Sequence, residues 1–172
     1  MQGYLLDTNI VAYWFDDRRP EHRSVVDRIN ALPDDVPLRV SVVTLGEIEY
    51  GHRAVSLGDT PIQARLKQFL ADQFPRALEI RKATTIYYGA WRARLFAKLA
   101  PAGKKTKLTR PEQLVAPVTS RELGIQENDL WIAAQAMEHK LVLVTHDVRS
   151  MAPLRDVMDD GLRVDIEDWV GP

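Results

Sequence analysis

Short apolar runs that stop at polar or acidic residues, each followed by a helical pattern, constrain this chain more than any other feature. Tyr4, Leu5 and Leu6 stop at Asp7, and after Thr8 and Asn9 the residues Ile10, Val11, Trp14 and Phe15 recur at helical spacing. The run over 141–144 stops in the same way at Thr145, His146 and Asp147. Between them, residues 38–43 are apolar and β-branched and predict a buried strand, with a helix beginning near Thr44. A short strand is expected over 77–80, and a last, half-buried one through Leu162, Val164 and Ile166. Helical patterns fill the intervals: Val25, Ile29 and Leu32 in one, Leu66 and Leu70 in another, and Ile86, Trp91, Leu95 and Leu99 in a third. Parallel neighbours need crossovers, and helical crossovers cover a sheet. The expected fold class is therefore α/β, a central, mainly parallel sheet with helices on both faces.

The 172 residues make one compact domain at the usual size, and 45% hydrophobic with 27% charged residues excludes a disordered or fibrous chain. The formal charge is -1, so a nucleic-acid partner has to be held by a local patch rather than by an overall basic field. The absence of cysteine excludes a disulfide framework, a thiolate zinc site, an iron–sulfur cluster and a cysteine nucleophile. No leader pattern or long apolar segment points to a membrane, and a cytoplasmic location is expected. Residues 101–126 read as an irregular insertion, interrupted by Pro101, Gly103, Pro111 and Pro117. Lys104, Lys105, Lys107 and Arg110 make it the one basic cluster, a substrate-binding arm or a solvated loop.

In an open parallel sheet the ligand crevice lies outside the carboxyl ends of the strands. Asp7 and Asp147 end strands there, Asp129 opens a helix, and Glu47 lies near the start of another. Four converging carboxylates repel one another unless a divalent cation neutralises them, and an all-oxygen set suits Mg²⁺ or Mn²⁺. Such an ion polarises a phosphoryl oxygen and lowers the pKa of a bound water, so the chemistry implied is phosphodiester hydrolysis. Each acid also has a plainer role. Asp7, Asp129 and Asp147 could cap helices or turns, and Glu47 could be a solvated helix acid.

In order along the chain, LLDTNI, SVVTLGEIEYG, NDLWIAAQA and LVLVTHD resemble the PIN-domain family, especially its VapC-like ribonuclease toxins. The resemblance spans nearly the whole chain and implies one domain over 1–172, a three-layer α/β/α sandwich. It further implies that Asp7, Glu47, Asp129 and Asp147 form a catalytic Mg²⁺ or Mn²⁺ site, supported by Asn9 and Thr145. An RNA substrate, a cognate antitoxin and a homodimer are the implied partners. Arg92, Arg94, Lys104, Lys105 and Lys107 are candidate phosphate contacts. Tyr50, Tyr87, Tyr88 and Trp91 are either contributors to a partner surface or core.

After Asp147 the sequence Val-Arg-Ser-Met departs from many relatives, which place an acid and a Phe shortly afterwards. No histidine is required at position 146, and His146 is expected at the surface. Three alternatives stay open: an RNA-processing PIN nuclease without an antitoxin, a Mg²⁺-dependent phosphatase, and a non-catalytic PIN-like interaction module. One type of phosphatase would want a second aspartate where Asn9 stands.

Overall fold

A computed structural model of the chain describes residues 2–55, 60–99, 110–114, 124–159 and 161–171. The strands β1 (Tyr4–Leu6), β2 (Leu38–Val40), β3 (Val142–Val144) and β4 (Ile166–Glu167) form a sheet in the order β2-β1-β3-β4. Every pairing is parallel, with Tyr4 beside both Leu38 and Val142, and Leu143 beside Ile166. Helices α1 (Thr8–Phe15) and α2 (His22–Asn30) carry the chain from β1 to β2. Helices α3 (Val42–Val55), α4 (Pro61–Gln73), α5 (Lys82–Leu99) and α6 (Glu127–Glu138) lie between β2 and β3, and α7 (Val148–Arg155) lies between β3 and β4.

The pleat sends successive strand residues to opposite faces and so divides the core in two. Leu5 and Leu143 pack with Trp91, Leu95, Ile132 and Leu154 from α5, α6 and α7. Leu6, Val40 and Val144 pack on the other face with Ile10, Val11 and Val25 from α1 and α2, and with Phe74 and Trp169. Helices thus cover both faces, as expected. Among the described residues no helix is long and apolar enough to cross a membrane.

The expected second strand is shortened because Ser41 takes over the chain. Its hydroxyl accepts from the Val43 N–H at 2.9 Å and its carbonyl from the Leu45 N–H at 3.1 Å, so Val42 and Val43 enter α3 despite their β-branching. The strand expected over 77–80 shrinks to a single parallel bridge between Leu78 and Ser41, since β2 has ended. On α5 the buried stripe is Thr84, Trp91, Leu95 and Leu99. Ile86 lies off that face and is 70% exposed, a correction to its expected place in the helix's apolar pattern. Of the insertion over 101–126, residues 110–114 and 124–126 are described, with a single 3₁₀ turn at Pro111–Gln113. Lys104, Lys105 and Lys107 lie outside the described residues.

The strand order has a consequence for function. From β1 the chain moves to β2 on one side and later returns to β3 on the other, so the connections diverge between the carboxyl ends of β1 and β3. That switch point is where an open α/β sheet leaves a crevice.

Candidate active site

Asp7 follows β1 and N-caps α1, its Oδ1 accepting the Thr8 N–H at 2.7 Å. Its Oδ2 accepts from Asn9 Nδ2 at 2.9 Å and from the Thr145 hydroxyl at 2.7 Å. Thr145 directly follows β3 and is fully buried, and its oxygen also accepts the Asp147 N–H at 3.1 Å. Asn9 completes the bridge, donating to Thr145 Oγ1 at 3.1 Å and accepting the His146 N–H at 3.1 Å through Oδ1. The expected supports Asn9 and Thr145 therefore stitch the ends of β1 and β3 together around Asp7.

Glu47 stands in the second turn of α3, because α3 starts at Val42, two residues before the start expected near Thr44. Both its oxygens are engaged: Oε2 accepts from the Thr8 hydroxyl, and Oε1 from Asn128 Nδ2 at 2.8 Å. Asp129, in the first turn of α6, accepts the Gln126 N–H at 2.9 Å. Asp147 N-caps α7 through the Ser150 N–H at 3.2 Å and is exposed. The plainer readings of Asp7, Asp129 and Asp147 as capping residues thus hold, and they coexist with the convergence. A carboxylate accepts at both oxygens and capping uses only part of that capacity; in Asp7, whose Oδ2 already takes two donors, the remainder is on Oδ1.

Electrostatics link the four. Burial raises the Asp7 carboxyl above the usual range, against the hydrogen bonds from Thr145 and Thr8, and the charges of Glu47 and Asp147 raise it further. Burial likewise pushes Asp129 up to about 7, opposed by the Gln126 N–H and reinforced by Asp7, Asp147 and Glu47. Among the described residues no three acidic or histidine side chains are gathered tightly enough to enclose an ion by themselves. The set still fits a hard divalent cation: the donors are all carboxylate oxygens, the charges of Glu47 and Asp147 bear on both Asp7 and Asp129, and Mg²⁺ commonly keeps several waters beside one or two carboxylates.

The sequence pattern of the PIN domain matches residues 4–154 of this chain, from β1 through α7. The chain belongs to the PIN domain family. It is 25% identical over 155 residues to Ribonuclease VapC1 of Haemophilus influenzae (strain R2866), a match covering 90% of this chain and 93% of that relative. Among solved structures, the fold resembles VapBC2 from Rickettsia felis bound to a promoter DNA fragment, with a TM-score of 0.63 and 23% identity over 96% of this chain and 98% of that one. It also resembles VapBC-1 from nontypeable Haemophilus influenzae, with a TM-score of 0.63 and 23% identity over 98% of both chains.

In this PIN domain the candidate phosphate contacts Arg92 and Arg94 are both paired with acids. Arg94 is committed to Asp159 at 2.7 Å and to the Val157 carbonyl at 3.2 Å, tying α5 to the segment after α7. Arg92 pairs with Glu127 at 3.2 Å and with the Tyr88 hydroxyl, close to the start of α6. Tyr88 stacks on Trp131 with ring centroids 3.7 Å apart, and its hydroxyl is raised to about 12, first by burial and then by its bond to Glu127. Trp91 is core, Tyr87 and Tyr88 pack against the core, and Tyr50 is 74% exposed.

Sequence reasoning missed Thr8 and Asn128, the two donors that hold Glu47, and the signal was available in their adjacency to Asp7 and Asp129. His146 is not the plain surface residue expected. It is half-buried, with Nδ1 at 3.0 and 3.1 Å from the Asp168 carboxylate oxygens and its ring edge-on to Tyr13. Asp168 lies 22 positions away, beyond any local pattern.

Proposed function

We propose that this PIN domain is a metal-dependent endoribonuclease and the toxin of a toxin–antitoxin pair. What supports the reading is that Asp7, Glu47, Asp129 and Asp147 lie close enough to feel one another's charge at the carboxyl edge, where burial first and that repulsion second raise Asp7 and Asp129. Asp7 and Asp129 are the first ligands for Mg²⁺ or Mn²⁺, with Glu47 and Asp147 completing the site directly or through water. When bound, the ion supplies charge neutralisation and Lewis acidity for phosphodiester hydrolysis. The chain's own residues hold the carboxylates apart and aimed: Thr145 and Asn9 fix Asp7, Thr8 and Asn128 fix Glu47, and the Gln126 N–H fixes Asp129.

RNA as substrate is supported by the ribonuclease VapC1 relatives, and an antitoxin as partner by the toxin–antitoxin complexes among structures of this fold. A homodimer is supported by the outer face of α5, where exposed Ile86 is followed at helical spacing by exposed Gly89, Ala93 and Ala97. The whole chain acts as one unit in the cytoplasm: β4, beyond the matched segment, adds the fourth strand.

The test is incubation of the purified, partner-free protein with total cellular RNA in Mg²⁺ or Mn²⁺, beside a chelator control and the Asp7→Asn and Asp129→Asn variants. Discrete products that need both the metal and the acids support the reading. Equal cleavage by wild type and variants overturns it.

A further inference from the structure

Next to Asp147 in the chain, the imidazole of His146 is held by groups outside the four acids. His146 sits between Thr145, which bonds Asp7, and Asp147, and its backbone N–H is fixed by Asn9 Oδ1 at 3.1 Å. Its ring is held on one side by Asp168, from the segment just after β4, and on another by the edge of Tyr13 at 6.0 Å. Arg19 lies over the same tyrosine, 6.0 Å from the ring centre. A carboxylate only accepts hydrogen bonds, so the Nδ1 facing Asp168 carries the hydrogen. The second ring nitrogen, Nε2, makes no hydrogen bond among the described residues. The side chain is 38% exposed, which leaves the ring within reach of a ligand at the rim.

We propose that His146, oriented by Asp168, reads the ribose 2′-hydroxyl of the RNA strand bound at the carboxylate site, and so separates RNA from DNA. The proposal rests on the ribonuclease reading above. The chemistry matches the ligand: a 2′-hydroxyl both donates and accepts, so it can pair with an imidazole nitrogen, and it is the group by which a protein distinguishes RNA from DNA at a given position. The imidazole is pinned at its backbone, at Nδ1 and at the ring edge, so little ordering is left for binding to impose. Asp168 is a positioning residue in this scheme. Hydrolysis by an activated water does not use the 2′-hydroxyl as nucleophile, so removing that hydroxyl from one nucleotide reports recognition rather than chemistry.

The experiment uses an RNA oligonucleotide containing a mapped cleavage site, and versions with a single 2′-deoxy substitution on either side of the scissile bond. Wild type is expected to cleave the all-ribose strand about five- to tenfold faster than one of the deoxy strands, the value of one hydrogen bond. His146→Phe should cleave both strands at one, lower rate. His146→Gln, whose amide oxygen reaches the same region, should keep part of the discrimination, which a purely structural role for the ring would not produce. The proposal is overturned if His146→Phe retains the wild-type ratio, or if wild type treats the ribose and deoxy strands alike. Absence of RNA cleavage by wild type would instead remove the ribonuclease reading, and the proposal with it.

Discussion

The Thr145 hydroxyl donates to Asp7 Oδ2 at 2.7 Å and joins the ends of β3 and β1 across 138 positions of sequence. The bond is buried, and Thr145 also accepts from Asn9 and from the Asp147 N–H, so a single oxygen sets the spacing of two candidate metal ligands.

Thr145→Val keeps the shape and removes that oxygen. It leaves the Asp147 N–H without its acceptor and takes one donor from Asp7, at an expected cost of about 1–3 kcal/mol in urea unfolding. RNA cleavage should fall by about 10- to 100-fold, the usual effect of removing a group that orients a metal ligand. A folded variant of full activity would contradict the role assigned to Thr145.

Asn128→Ala separates position from stability. Asn128 lies at the partly exposed rim and holds Glu47 Oε1 at 2.8 Å, so its loss should cost little in unfolding while cleavage drops about tenfold. Thr8→Val, which frees the other oxygen of Glu47, should behave alike in a kinetic assay.

The raised carboxyl of Asp129 makes a stability prediction. With a folded pKa of about 7 against an ordinary value near 4, the folded protein holds the extra proton between those limits. Ionisation therefore costs stability, fully above pH 7, and the cost is relieved as pH falls from 7 towards 4. Asp129→Asn should melt a few degrees higher than wild type at pH 8, and the difference should vanish near pH 4, while cleavage is lost. A thermal melt that shows the same difference at both pH values would contradict this assignment.

Mn²⁺ neutralises the same repulsion, so it should raise the wild-type melting temperature more at pH 8 than at pH 6. The gain is about 2.7 kcal/mol at 100-fold saturation of a site that only the folded chain offers. The Asp7→Asn, Asp129→Asn double variant should show no such gain, and titration calorimetry should detect no heat of binding.

Arg94 is already paired with Asp159, so Arg94→Ala should change stability by about 0–1 kcal/mol and leave the salt dependence of RNA binding unaltered. Replacing Lys104, Lys105 and Lys107 by alanine tests the basic insertion. Each lost phosphate contact should flatten the log–log salt slope by about 0.7.

The sequence by itself determined a good deal. The ends of β1 at Asp7 and of β3 just before Thr145 were legible because apolar runs that stop at polar residues are local patterns, whereas Asp147, expected to end a strand, instead caps α7; the four candidate acids stood out because each belongs to a short motif. Local pattern misled where a nearby hydrogen bond overrode propensity, as Ser41 did in drawing Val42 and Val43 into α3. It could not place Ile86, since a helical repeat does not say which of two apolar stripes meets the core. Only the tertiary structure decided how the acids are held. Thr8 meets Glu47 from 39 positions away, Asn128 meets it from 81, and Asp168 meets His146 from 22. Those pairings depend on strand order and on where α3, α6 and the chain after β4 reach the carboxyl edge. Directional bonds a few ångströms long are fixed by that packing, whereas periodicity records only which residues turn inward.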